Sequence, residues 1–474
     1  MTPDIDAQCI RIVRKLKAAA AADRTFAVFG AESHRYAIGP KVSEAQIRAF
    51  ETEHGIDLPA HYRAFQTQVG NGTPDRNGRS AAGPFYGIYP FGAKIDAFVY
   101  KQNGHLRAQP FVNPDMPQSE WDEAAKPLDA DDISDDDYAE GNRRLFGGLL
   151  PIGHQGCQSY HALVLQGPNA GRVVNVDVDR YLPQFCFEAN FLDWYERWLD
   201  EIISGIATKD GPNWFGYSMG GDDEHLLTVF NSTDKRSEKS AALDGFGKLT
   251  SISAKSVDEM VRIAASDDPD FRRKAFLILA EFAYPQAHRF LHDHLEGDEG
   301  QQLTACQAIH WYAKDHAAEW VDRVGPIAES TSNVELFRFA SYVLEASGRD
   351  CSRYLVPAAS HPNEDIRGAA LYAIGKSVQA PDAIDALLRG LSDESPKVVH
   401  AALQAHKKAF DDRFIAAYAS IARRFKIDEH YIHANLGHHL KAIGYDSIPA
   451  FVADFEAGKV PRRSFWSRLL GRKS

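Results

Sequence analysis

The chain reads as an α+β amino-terminal domain, an antiparallel sheet with flanking helices, followed by an all-α repeat solenoid. Three observations predict this. Apolar residues recur at helical spacing up to residue 72 and then at alternate positions in the stretch 149–179. Beyond residue 251, short helical segments carry an alanine at nearly constant register: Ala275, Ala305, Ala340, Ala370, Ala402 and Ala434, at intervals of 30, 35, 30, 32 and 32 residues. A repeat of that length marks stacked helix pairs, each of which buries its apolar face only against the next. Finally, 474 residues exceed what a single core accommodates, so two or three domains are expected.

The first helix is expected from Pro3 to Ala22, with Ile5, Cys9, Ile12, Val13 and Leu16 at helical spacing and basic residues opposite. A second begins where Ser43 and Gln46 can form a capping box and Val42 can staple onto Ile47; Phe50 continues its stripe and Gly55 ends it. After Leu58-Pro59, a third places Tyr62, Phe65 and Val69 on one face and stops at Gly70-Asn71-Gly72. Four strands follow: 83–91 (GPFYGIYPF), 149–153 (LLPIG), 160–166 (YHALVLQ) and 172–179 (RVVNVDVD). In the last, Val174, Val176 and Val178 alternate with Asn175, Asp177 and Asp179, the pattern of a sheet with one exposed face. The GPNAG stretch 167–171 supplies a hairpin turn. Helix returns over 188–203, with Phe191, Trp194, Tyr195, Trp198 and Ile202 forming one aromatic stripe.

The domain plan is therefore 1–205 for the α+β domain, 206–250 for a linker, 251–458 for the repeats and 459–474 for a basic tail. Within the first domain, 111–147 stands apart. It is polar, contains three prolines and carries six aspartates in the run 128–140, so it reads as a solvated, mobile insertion. In the linker, Trp214, Phe215 and Tyr217 are expected to dock on a neighbouring element. In the solenoid, Asp268-Pro269, His361-Pro362 and Ser395-Pro396 place proline in a first helical turn, and Asp298-Glu299, Ser332-Asn333 and Asp428-Glu429 supply caps.

Composition narrows the function. A net charge of −12 argues against direct nucleic-acid binding and suits a partner with a basic surface. The acid excess is concentrated early: residues 1–205 hold 20 Lys+Arg against 28 Asp+Glu. Five scattered cysteines imply free thiols in a reducing compartment. The Ala18–Ala22 run lacks the apolar core of a leader, and no run of about 18 apolar residues occurs, so a cytoplasmic location is expected without a membrane span.

Three stretches carry a family resemblance: 43–72 (SEAQIRAFETEHGIDLPAHYRAFQTQVGNG), 83–91, and 149–179 leading into 190–205. In their order and spacing they resemble the SUKH superfamily, of Smi/Knr type. The units 361–376 and 392–408 resemble HEAT repeats of the short, thirty-residue kind. The SUKH resemblance implies a binding module with no shared catalytic constellation. Its bacterial members are regarded as immunity proteins that neutralise toxins, many of them nucleases, and its fungal members regulate cell-wall synthesis through protein contacts. The attached repeats depart from a minimal immunity protein and leave room for a scaffold role.

Catalytic and metal chemistry find little support in the residues. His154, Cys157 and His161 have metal-like spacing but lack a fourth ligand, and the plain alternative is sheet and turn residues. His288, His292 and His294, and likewise His433, His438 and His439, lack the carboxylate of a zinc-protease helix. No enzyme activity, cofactor or metal is expected. The tail's Phe465, Trp466, Leu469 and Leu470 among basic residues suit a helix that caps the last repeat, or a weak membrane-surface contact.

The expected function is therefore protein binding: an immunity protein that neutralises a basic, nuclease-like toxin, with a regulatory scaffold as the alternative. The expected partner contacts are Asp131, Asp132, Asp135, Asp136 and Asp137, with Asp177 and Asp179, acting by charge complementarity. Solvation of a loop is the plain alternative for the first five, and simple strand alternation explains Asp177 and Asp179 equally well.

Overall fold

The computed structural model describes residues 4–72, 80–99, 104–209, 214–377, 381–405, 411–425 and 429–460. It divides into two compact units, Met1–Ser256 and Val257–Ser474. The first contains helices α1 (Ile5–Ala22), α2 (Ala31–His34), α3 (Glu44–His54) and α4 (Ala60–Ala64), with a π turn continuing α4 over Phe65–Val69. Then come α5 (Gln118–Ala125) and α6 (Asp135–Phe146), followed by strands β1 (Leu149–Gly156), β2 (Ser159–Val164), β3 (Val173–Asp177) and β4 (Gln184–Phe185). Helices α7 (Phe191–Ile203), α8 (Asp223–Ser232) and α9 (Arg236–Gly245) complete it.

Local chemistry sets the helix starts as expected. Ser43 accepts from the Gln46 amide while the Gln46 side chain accepts from the Ser43 amide, so the capping box of α3 is closed. Val42 and Ile47 are both buried beneath it. On α1, Cys9, Ile12 and Leu16 are buried, but Val13 faces solvent, because Gln8 and Ala19 complete the inward stripe instead. Gln8 and Lys15 reach across to Glu196 on α7 at 3.0 and 2.9 Å, and Lys15 also meets Asp200 at 2.7 Å.

The sheet is an antiparallel meander in the order β1-β2-β3-β4, with Leu149 opposite Val164 and Ala162 opposite Val174. Both of its faces are covered. Leu150, Ile152, Leu163 and Val173 join one core with α1 and α7, whereas Leu149, Ala162, Val164, Val174 and Val176 join a second core. That second core corrects the reading of 111–147 as a mobile insertion. The segment forms α5 and α6, and its Trp121, Leu128, Leu145 and Phe146 roof the second face. Aspartate density suggested solvation, yet the apolar residues fall between the acidic ones on the opposite side of each helix.

Three further expectations change. The stretch 83–91 makes only isolated bridges, Ala81 to Ile88 and Ile88 to Gly153, because Phe85 and Gly87 adopt positive φ values of 54° and 93° that break an extended run. On β3 the polar alternation points inward: Asn175 is buried, and Asp179 lies beyond the strand in a turn. The stretch 206–250, read as a linker, contains α8 and α9 and lies within the first unit. There Phe215 packs on Trp194 at 5.8 Å between ring centroids and Tyr217 donates to Gln155 Oε1 at 2.8 Å, whereas Trp214 stays 54% exposed.

Helix α10 (Ala254–Ala264) leads into the second unit, which continues with α11 (Pro269–Phe282), α12 (Tyr284–Leu295), α13 (Glu299–Tyr312), α14 (Val321–Ser330), α15 (Val334–Ala346) and α16 (Ser352–Ala358). It ends with α17 (Glu364–Ser377), α18 (Pro381–Leu391), α19 (Pro396–Ala405), α20 (Arg413–Arg424), α21 (Ile432–Ala442) and α22 (Ile448–Glu456). The odd-numbered helices from α11 to α21 touch successively in one row, and α14, α16, α18, α20 and α22 do so in another.

Five of the six register alanines, from Ala275 to Ala402, lie in the first row with no exposed surface, where a small side chain lets helices approach. Ala434 is exposed instead, because α21 buries Ile432, Leu436 and Leu440. Asp298 and Asn333 cap α13 and α15 as expected, and Asp268, just before the expected first-turn Pro269, caps α11. Pro362 precedes α17 by two residues rather than entering its first turn. Asp428 and the tail from 461 onward lie outside the described residues.

Candidate partner-binding surface

Asp131 and Asp132 are exposed in the turn before α6, and Asp135, Asp136 and Asp137 fill that helix's first turn. Ser134 caps α6 by accepting from the Asp137 amide at 3.1 Å, so the three carboxylates surround a helix N-terminus whose dipole favours them. All five side chains face water. None is drawn into the core that the same segment roofs.

The other two predicted contacts behave differently. Asp177, half-buried, accepts from the Ser159 hydroxyl at 2.6 Å and from the Asp179 amide at 2.8 Å, so it is occupied in shaping the end of β3. Asp179 is exposed in the turn that follows. The turns bearing the two groups are joined: Arg180 pairs with Asp129, and Trp121 Nε1 donates to the Arg180 carbonyl at 2.7 Å. The tertiary fold therefore ties the Asp179 turn to the segment that carries the aspartate run. Asp177 is the least available of the seven.

Beside the β1–β2 hairpin lies a second surface that the sequence did not single out. Phe29, 39% exposed, packs against Phe85, Tyr86 and Trp214 with centroid distances of 5.8, 5.6 and 6.2 Å. Tyr86 stacks on His154 at 5.1 Å, and Tyr89 stacks on the same imidazole at 5.9 Å. Two non-glycine residues here, Phe85 and Cys157, hold φ values of 54° and 49°. Such backbone costs of order 1–3 kcal/mol each and clusters at functional positions. Exposed aromatics on a rigid base are the usual anchors of protein interfaces. Phe29 escaped notice because the stretch 25–40 has neither helical nor strand periodicity.

A model of the SMI1/KNR4 family (SUKH-1) matches residues 41–197, and a model of HEAT repeats matches residues 343–417. The chain carries a SUKH domain followed by HEAT repeats. No curated protein matches it. A solved X-ray structure of YibA from Escherichia coli is similar at 13% identity, covering 49% of this chain and 92% of that one, with a TM-score of 0.32.

Within the SUKH domain, the residues with metal-like spacing do not converge. His161 is fully buried against Trp194 and Phe85, Cys157 is exposed at the hairpin tip, and His154 lies between two tyrosine rings. Burial pushes the His161 imidazole down to about 3, which keeps it neutral. Its Nδ1 faces Asn175 Oδ1 at 2.9 Å, and Gln155 Nε2 donates to the same oxygen at 2.9 Å. This network fastens the sheet to the segment bearing Tyr217. Among the described residues, no group of three or more His, Cys, Asp or Glu side chains is placed to hold a metal ion.

The histidines of the second unit are likewise engaged in packing. His294 is buried with Nδ1 at 2.8 Å from the Phe290 carbonyl, and Arg323 meets His292 Nε2 at 2.6 Å. His439 approaches the Leu403 carbonyl at 2.7 Å, joining α21 to α19. No helix among the described residues is long and apolar enough to cross a membrane.

Proposed function

We propose that this chain is an immunity-type protein that binds a cognate bacterial toxin through its SUKH domain and neutralises it in the cytoplasm. The match to the SUKH family over residues 41–197 carries the reading. The exposed aspartates at the start of α6 support it further, because five carboxylates on a fixed helix end can occupy a basic cleft such as a nuclease uses for phosphate. The aromatic group around Phe29 and Trp214 would supply the desolvated anchor that a purely acidic contact lacks. On this reading the chain makes and breaks no covalent bond, and the partner is a protein.

The test is rescue. The gene is co-expressed with a toxin-like neighbouring gene, and the full chain is used as bait in the native host with mass spectrometry of what it retains. Growth restored by the wild-type chain, and lost when Asp131, Asp132, Asp135, Asp136 and Asp137 become asparagine, is the expected result. Retention of signalling or metabolic proteins alone, without rescue, would sink the toxin reading. It would favour a regulatory scaffold, for which the HEAT repeats are the specific support.

A further inference from the structure

After α7 the chain returns to the sheet and lies on it as a bound peptide would. Residues 214–218 form a strap outside any helix or strand. Every second carbonyl of the strap accepts from a side chain of the same domain. Trp214 takes Lys248 Nζ at 3.5 Å, Gly216 takes Asn175 Nδ2 at 3.5 Å, and Ser218 takes Arg197 Nη2 at 2.8 Å. The two residues between those carbonyls are the anchors. Phe215 is buried against Trp194 with the Arg197 guanidinium 5.0 Å from its ring, and the Tyr217 hydroxyl donates to Gln155 Oε1 at 2.8 Å. Main-chain capture combined with pockets for alternate side chains is how short peptides are recognised.

The bed beneath the strap is polar and is held together without it. A bulge in β1 takes Gln155 out of register with β2 and brings its amide beside the cross-strand pair His161 and Asn175. All three side chains are buried, yet the bonds that join them are their own. Gln155 Nε2 donates to Asn175 Oδ1 at 2.9 Å, and His161 Nδ1 lies 2.9 Å from the same oxygen. Lifting the strap therefore hydrates a network already satisfied within itself, and Phe215 is the one buried side chain that leaves. The strap also serves this bed incompletely, because His161 Nε2 has no hydrogen-bond partner among the described residues. Glycine is needed where the strap passes closest: at Gly216, with φ at +86°, a Cβ would fall 3.0 Å from Cys186 Sγ. Gln155, His161, Asn175 and Arg197 belong to the matched stretch 41–197, whereas the strap follows it.

We propose that the strap is a displaceable ligand of its own domain. It fills a peptide-binding site that a protein partner takes over with a segment of the same chemistry, a phenylalanine followed two residues later by a tyrosine. Asn175 and Arg197 hold backbone carbonyls and so accept any sequence, whereas Trp194 and Gln155 select the two side chains. The inference goes beyond the toxin reading and does not depend on it, because it concerns a surface that this chain covers with itself.

Fluorescence anisotropy on the full chain tests it, with a labelled peptide of the sequence 214–219 (WFGYSM) as the probe. In the wild type the strap competes from within. The probe should therefore bind the double variant Phe215→Ala/Tyr217→Phe at least about tenfold more tightly than the wild type. Adding Gln155→Ala to that variant should weaken binding about fivefold. A probe with alanine in place of its phenylalanine should lose about tenfold. Melting curves establish that each variant is folded. If the double variant unfolds, Tyr217→Phe alone decides the matter, with an expected gain of about threefold over the wild type. Absence of binding to a folded variant, or equal binding to wild type and variants, overturns the proposal. Because the probe is taken from the chain itself, this outcome is independent of whether any toxin is ever found.

Discussion

The Nδ1 of His161 stands 2.9 Å from the side-chain oxygen of Asn175, inside a site where neither residue reaches water. Since that oxygen only accepts, the contact places the imidazole proton on Nδ1, while burial disfavours a second, charge-bearing proton on Nε2.

A pH dependence of stability follows. Burial holds His161 at about 3 and His34 at about 4. Both lie below the unfolded value of about 6.5, so the unfolded chain binds protons that the folded one refuses. The amino-terminal unit should be fully stable above pH ~6.5 and lose about 1.4 kcal/mol per pH unit for each of the two histidines as pH falls towards ~4. Urea unfolding at about pH 7.5, 6 and 5 measures the slope, which His161→Gln should roughly halve. A slope untouched by that substitution would contradict the assignment.

Trp121 should prove indispensable to the segment between α5 and α6. It has no exposed surface, and its indole donates to the carbonyl of Arg180. Trp121→Ala should cost about 3–5 kcal/mol and open residues 111–147 to limited proteolysis. Trp121→Phe should cost less and leave the segment resistant. If the alanine variant resists protease like the wild type, the second core is not what orders this segment.

Two glycines seven residues apart on α17 should respond oppositely to alanine. At Gly375 a Cβ would fall 2.2 Å from the Ala405 carbonyl oxygen, whereas at Gly368 it meets only a methyl at 3.6 Å. Gly375→Ala should therefore destabilise the repeats by about 1–3 kcal/mol. Gly368→Ala should stabilise them by about 0.5–1 kcal/mol through helix propensity. Thermal melts of the two variants give the comparison directly, and the same sign for both would refute it.

Neutralising the aspartates of α6 should separate binding from folding. Replacing Asp135, Asp136 and Asp137 by asparagine removes favourable first-turn charges worth about 0.3–1 kcal/mol each. Association with a basic partner should slow by about tenfold or more at low salt, and the difference should shrink near roughly 0.5 M salt. Stopped-flow association rates across a salt series are the measurement. A rate unaffected at low salt would remove these residues from the interface.

Much of the architecture was legible because it is written in local patterns. Ser43 with Gln46, Asp298-Glu299, and the alanines from Ala275 to Ala402 announce helix starts and a repeat without any tertiary knowledge. Where the prediction failed, a distant surface decided the outcome. Asn175 looks like a solvent-facing strand residue until Gln155 and His161 surround it, and Trp121 looks isolated among acids until the sheet's second face appears. The site divides in the same way. The acidic run was readable as charge density, but its attachment to the Asp179 turn through Arg180, and the patch around Phe29, exist only once the chain has folded.

The helix rows of the second unit have a mechanical consequence. Because the helices make their main contacts with near neighbours along and across the two rows, cohesion there is a chain of local links rather than a shared hub. Amide exchange should accordingly be slowest in the middle of the array around α15 and α17 and quicken towards α22.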